Sequence, residues 1–216
     1  MVENSIILIK YLYLTIQTKW SKSMSKHDKV RDNLVNAARQ LFTRFGFEKT
    51  TMNEIAMEAR KGKSSLYYYF TSKEEVFQAV VEYEAGLLHT KLVEAYNTPD
   101  DFLEKIRSYI RVRFIEIMKL GNLYQALRND FLNHLEFVQK ARVRYDKLEL
   151  EFITRVLKQG NESGKFNIDD PAQVARTFHM TIKAVEIPLL ISYEKELFEQ
   201  QLNTIIDILF FGLVKR

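Results

Sequence analysis

Only seven glycines and three prolines are spread over 216 residues. A chain so poor in both residues has few places to turn sharply. Sheets and long loops draw heavily on them, whereas helix interiors exclude them. The composition therefore predicts an all-α fold of helices joined by short turns, with enough chain for one large domain or two small ones. There is no cysteine, which excludes disulfides, thiolate nucleophiles and cysteine-bound metals and is consistent with a reducing cytoplasm. The net charge of +4 is mild, but three cations crowd into four positions at Arg60, Lys61 and Lys63. That cluster is the electrostatic feature a polyanion would notice.

Helical spacing becomes regular from about Asp28. Val30, Leu34, Ala37, Ala38, Leu41, Phe42 and Phe45 fall on one stripe until Gly46 ends the run. Thr51-Met52-Asn53-Glu54 has the spacing of a capping box, in which the Thr51 hydroxyl accepts from the Glu54 amide and the Glu54 carboxylate reaches back. A second helix is expected from Thr51 to about Ala59. Lys49, Thr50 and Thr51 stand at its start, where such groups cap the helix and commonly meet phosphate.

Gly62 to Lys73 reads Gly-Lys-Ser-Ser-Leu-Tyr-Tyr-Tyr-Phe-Thr-Ser-Lys. As a helix it would place Leu66 and Phe70 on one apolar face, with Lys63, Ser64, Tyr67 and Tyr68 turned away. The outward face carries an ammonium, a hydroxyl and two phenols, groups that hydrogen-bond phosphates and base edges without a catalytic partner. Two short helices joined at Arg60, Lys61 and Gly62 make a helix-turn-helix. On these residues alone an ordinary helical hairpin, or a buried aromatic strand, competes with that reading.

The wider run decides between them. Ala38-Arg39-Gln40-Leu41-Phe42, Phe45-Gly46-Phe47, Thr50-Thr51-Met52, Glu54-Ile55-Ala56, Leu66-Tyr67-Tyr68-Tyr69-Phe70 and Ser72-Lys73-Glu74-Glu75-Val76 resemble the N-terminal DNA-binding domain of TetR-family transcriptional regulators. Where that family usually has Ala-Gly-Val-Ser at the turn, this chain has Ala59-Arg60-Lys61-Gly62. The glycine has moved, the capping hydroxyl is gone, and two cations are added that should strengthen phosphate attraction. The resemblance implies that Lys61, Lys63, Ser64, Ser65, Tyr67 and Tyr68 meet the major groove and its backbone, while Thr51, Tyr69 and Lys73 clamp phosphates.

Residues 24–73 thus form the expected three-helix DNA-binding domain, and 74–216 the helical effector-binding and dimerisation domain. A long fourth helix, capped by Ser72, leads from one to the other and runs towards Asn97, about 36 Å at 1.5 Å per residue. A fifth helix is capped by Asp100 or Asp101 and ended by Gly121. A sixth covers about Leu123 to Glu136, and a seventh runs from Phe137 to about Gln159. An eighth, opened by Pro171, is bent or ended near Pro188, and a ninth carries Leu197 to Leu213. The resemblance pairs these last two with their copies in a second subunit. A dimer also suits the head, since two recognition helices about 34 Å apart read successive major grooves of a palindromic operator.

The resemblance further implies a homodimeric, cytoplasmic repressor that a small molecule releases from double-stranded DNA. The body is rich in Phe, Tyr, Leu and Ile, which favours an apolar or amphipathic ligand. Tyr109, Arg113, Tyr124, His134 and Tyr145 are candidates for its polar contacts. No catalytic residue, cofactor or metal site is expected. Asp130 and His134 share a helical face at ligand spacing, but such a pair is more often structural, and neither a phosphate loop nor a nucleophile motif occurs.

Two other readings remain at this point. One is a ligand-independent or architectural DNA-binding protein of the same fold, the other a membrane-associated protein using the apolar run Ser5 to Ile16. That run is too short to span a bilayer, is broken by Lys10, and lacks a cleavage signal. Residues 1–23 are an uncertain extension, with translation from Met24 as the favoured reading and a packing helix or DNA-contacting arm as the alternative.

Overall fold

The computed structural model describes residues 26–98, 101–122, 136–191 and 195–211. Among these the regular structure is entirely helical: α1 (Lys26–Phe45), α2 (Met52–Glu58), α3 (Lys63–Tyr69), α4 (Lys73–Asn97), α5 (Phe102–Lys119), α6 (Glu136–Glu162), α7 (Pro171–Ile191) and α8 (Lys195–Phe211). The chain divides into two compact units, Met1–Thr90 with Leu120–Ala126, and Lys91–Lys119 with Leu127–Arg216. Residues 1–23, Tyr124, Asp130, His134 and most of the expected sixth helix lie outside the described residues.

Local signals set the helix ends. Thr51 and Glu54 form the complete capping box. Ser72 accepts from the Glu75 amide at 3.2 Å while the Glu75 carboxylate takes the Thr71 amide at 2.7 Å, and caps of this kind contribute about 1 kcal/mol each. Asp101 and Asp170 each accept from two amides in the first turns of α5 and α7. Gly46 ends α1 at φ +82°, its amide bonded to the Phe42 carbonyl. Gly164 closes α6 at φ +71° with Lys165 N–H on Gly160 C=O at 2.9 Å.

In the first unit Phe42, Phe47 and Phe77 form an aromatic centre, with Phe42 and Phe77 edge to face at 5.2 Å and Phe47 5.0 Å from Phe77. Leu34, Ile55, Leu66 and Val80 are fully buried around it. A buried polar knot fastens α1 to α4. Glu84 meets Arg39 Nε at 3.2 Å and accepts from both the backbone amide and the side chain of Asn122. Asn122 Nδ2 also reaches the Arg39 carbonyl and Thr43 Oγ1.

Two helix ends differ from expectation. Gly121 does not end α5; the break falls at Leu120 and Gly121 opens the next helical residues. Its small size serves packing, since a Cβ there would stand 3.2 Å from Thr43 Cγ2. Nor does α7 end at Pro188, since it continues to Ile191.

In the second unit α6 and α7 pack through Ile153, Leu157 and Ala175, covered by Leu150, Phe152, Phe166, Ile168 and Phe178. Arg107 and Arg111 of α5 bond Asp207 and Asn203 of α8.

Candidate nucleic-acid interface and effector cavity

The turn between α2 and α3, unusual in sequence, closes with the paired hydrogen bonds of an ordinary helix stop. The Arg60 amide bonds the Met57 carbonyl at 2.9 Å, and Lys61 N–H bonds Ala56 C=O at 2.8 Å. This double bond closes a helix by placing the residue after its cap in the left-handed region, where glycine is usual. Here Arg60 takes that position at φ +53°, a conformation that costs a residue with a Cβ roughly 1 kcal/mol. The displaced Gly62 is the N-cap of α3, with φ −69° and no side-chain cap. Its carbonyl receives the Ser65 and Leu66 amides, so the helix starts correctly without the hydroxyl.

The faces of α3 divide as its spacing requires. Leu66 is fully buried and Phe70 nearly so, while Tyr67 is 44% and Tyr68 74% exposed. Lys61, Lys63 and Ser64 are also exposed, and Ser65 and Tyr69 half-buried. The Lys63 ammonium lies 5.9 Å from the Tyr67 ring centroid, and the Tyr68 and Tyr69 rings meet edge to face at 5.1 Å. Lys73 is turned inward: its ammonium donates to the carbonyls of Phe47 at 2.8 Å and Glu48 at 3.2 Å and sits 4.4 Å over the Phe47 ring. The Thr51 hydroxyl is engaged by Glu54.

A second site lies within the other unit. Tyr96, Ile106, Tyr109, Phe152, Ile153, Val156, Leu157, Val174 and Phe178, with the segment Lys165 to Ile168, enclose a cavity of about 410 Å³. Tyr109 stacks on Phe152 at 4.7 Å, and Tyr96 meets the same ring edge to face at 4.9 Å. The Asn161 side chain fixes the wall segment by bonding both the carbonyl and the amide of Ile168. Of the candidate ligand contacts, Tyr109 lines the cavity; Arg113 and Tyr145 do not.

Tyr109 and Arg113 instead bind a buried carboxylate. Glu149 accepts from the Tyr109 hydroxyl at 2.9 Å and pairs with Arg113, while His179 Nε2 lies 3.2 Å from its other oxygen. Burial alone would raise the Glu149 pKa. The Arg113 charge, His179, Lys183 and Tyr109 outweigh it and hold the group down at about 2. Burial and the neighbouring carboxylate together push the Tyr109 hydroxyl well above its usual range, so it stays a donor. Asp146, Glu149 and His179 also bring ligand-type atoms within 4.8 Å of one another. Lys183, 2.8 Å from Asp146, and Arg113 already supply the countercharge a metal would bring.

Sequence reasoning singled out Arg60 as a turn cation but not its left-handed backbone, and it missed Glu84, Asn122, Glu149 and the cavity wall from Phe152 to Phe178.

Residues 34–80 match the model of bacterial regulatory proteins of the tetR family, the stretch that holds the helix-turn-helix just described. That stretch is a TetR-family DNA-binding domain. The chain is 29% identical over 160 residues to the helix-turn-helix-type transcriptional regulator YfiR of Bacillus subtilis, covering 70% of this chain and 75% of YfiR. A transcriptional regulator from Cytophaga hutchinsonii shares its fold at a TM-score of 0.69, with 26% identity over 82% of this chain and 94% of that one. FadR of Bacillus subtilis, solved in complex with stearoyl-CoA, superposes at a TM-score of 0.64 and 20% identity, covering 84% of this chain and 98% of FadR. No helix among the described residues is long and apolar enough to cross a membrane.

Proposed function

We propose that this regulator is a cytoplasmic homodimeric repressor that a small apolar or amphipathic ligand releases from a palindromic operator. The observation that carries the reading is the aromatic-lined cavity of about 410 Å³ in a chain whose other unit exposes a recognition helix. That volume is in the range of small-molecule sites. The FadR structure, bound to stearoyl-CoA, supports a ligand with a long apolar part.

Residues 24–73 act as the reading head and 74–216 as the body. Lys61, Lys63, Ser64, Ser65, Tyr67 and Tyr68 face the groove, with Thr51, Tyr69 and Lys73 beside the backbone. Exposed apolar side chains on the last two helices, Met180 on α7 and Leu197 and Ile208 on α8, support dimerisation there. Ligand and DNA are then coupled reciprocally, each weakening the other by the same factor.

The test is a gel shift on source-genome fragments, including DNA upstream of the protein's own gene, at fixed salt with nonspecific competitor. A discrete shift on few fragments, reversed by a bound ligand, is the expected result. A discrete shift that no cavity ligand alters leaves a ligand-independent DNA-binding protein. Uniform binding removes the operator reading.

A further inference from the structure

The side chains of the cavity wall are mostly apolar or aromatic, with Lys165 and Asn167 the polar ones beside the two tyrosines, and the Tyr109 hydroxyl is committed to Glu149. Three cations lie in or beside that wall. Lys165 is part of the wall and is exposed. Lys105 of α5 holds its ammonium 5.5 Å from the ring centroid of Tyr96, another wall residue. Arg155, three positions after the wall residue Phe152 on α6, acts on the Tyr96 hydroxyl with its positive charge.

None of these three cations makes an ion pair among the described residues. Three cations from three chain segments, Lys105 and Arg155 beside the wall residue Tyr96 and Lys165 in the wall itself, put positive charge next to a cavity lined mostly by apolar side chains. A neutral apolar ligand would leave that charge unused, and a cationic amphiphile would be repelled by it.

We infer that the ligand is a single-chain amphiphile with an anionic head: the chain fills the cavity between α5, α6 and α7, and Lys105, Arg155 and Lys165 hold the head. This deepens the proposed effector site and rests on it. The shared chemistry is an oxyanion on an apolar tail, and both an acyl carboxylate and the phosphates of an acyl thioester of a nucleotide carrier supply it. The Tyr96 hydroxyl, kept protonated by burial against the pull of Arg155, is a further donor in the wall.

The experiment is calorimetric titration of the full chain with four probes of one tail length, each below its micelle concentration: dodecanoate, dodecanoyl-CoA, dodecanol and dodecyltrimethylammonium. One or both anions should bind roughly tenfold or more tighter than the alcohol, as a charge-assisted contact provides, and the cation weakest. The tighter anion identifies the source of the head group. Replacing Lys105, Arg155 and Lys165 together by Ala should erase the preference for the anion while dodecanol still binds, which shows that the cavity remains folded.

Equal affinity for dodecanol and both anions overturns the assignment, as does an anion preference that survives the triple substitution. Binding of none of the four probes overturns it too. The same probes added to a gel shift test the effector reading separately. Anion binding that leaves the DNA complex intact ends the release mechanism and upholds the head-group assignment.

Discussion

Asn122 donates its side-chain amide to the carboxylate of Glu84 at 2.8 Å, and both residues are 1% exposed or less. Replacing Asn122 by Ala removes the side-chain donor from that carboxylate, which keeps the backbone amide of residue 122 and Arg39, and removes the bonds to the Arg39 carbonyl and Thr43 on α1. We expect Asn122→Ala to lower stability by about 2 kcal/mol, the cost of leaving a buried polar group short of donors. Urea denaturation measures it, and an unchanged midpoint would show the knot to be dispensable.

Arg60 trades backbone comfort for charge. Arg60→Gly should raise stability by about 1 kcal/mol, because φ +53° is open to glycine. The same change should weaken DNA binding and reduce the salt slope by about one contact. Higher stability with unchanged binding would make Arg60 a bystander on the surface.

Tyr67 and Lys63 are exposed, so Ala at either position should leave the melting temperature in place and weaken binding to the operator. Leu66→Ala is the contrast, since its side chain is fully buried and the cavity should cost about 3 kcal/mol. Full operator affinity in both surface variants would remove α3 as the reading helix.

Lys73→Ala separates two roles. Loss of its bonds to the Phe47 and Glu48 carbonyls should lower stability by about 1 kcal/mol. A phosphate contact would also lower affinity for all sequences alike and reduce the salt slope. A stability loss with an unchanged salt slope assigns Lys73 to the fold alone.

Glu149 makes the second unit acid-sensitive. Its pKa in the folded chain, about 2 against an ordinary 4.5, means that the unfolded chain takes up the proton first as pH falls. The stabilisation is complete above about 4.5 and is lost as pH drops towards 2. Glu149→Gln should flatten the acid limb of a denaturation profile between those limits; an unaltered limb would place the sensitivity elsewhere.

What could be read from the sequence was what acts over a few residues. Thr51 and Glu54, Ser72 and Glu75, Gly46, and Asp170 with Pro171 announced their helix ends because caps and left-handed closures are built from neighbours. The two faces of α3 followed from spacing alone. Gly62 was legible as turn residue or N-cap, and it is the N-cap; the hydrogen bonds that close α2 demand a left-handed residue two positions earlier, so Arg60 bears the strain. Gly121 looked like a helix stop, whereas Thr43, distant in sequence, explains its size. Glu84 with Asn122, and Glu149 with Tyr109, Arg113 and His179, lie 30 to 40 positions apart, and no periodicity reports such meetings. The cavity was legible only as an excess of aromatic residues in the body.

The first unit takes in Leu120–Ala126 as well as the leading stretch of chain, so its core is written in two separate passages of the gene. A recombination event that joined this head to a foreign body at Thr90 would leave Glu84 without the Asn122 amide. A new pairing of head and body therefore keeps this knot only when the later passage travels with the head, or when the recipient carries an amide at the equivalent place.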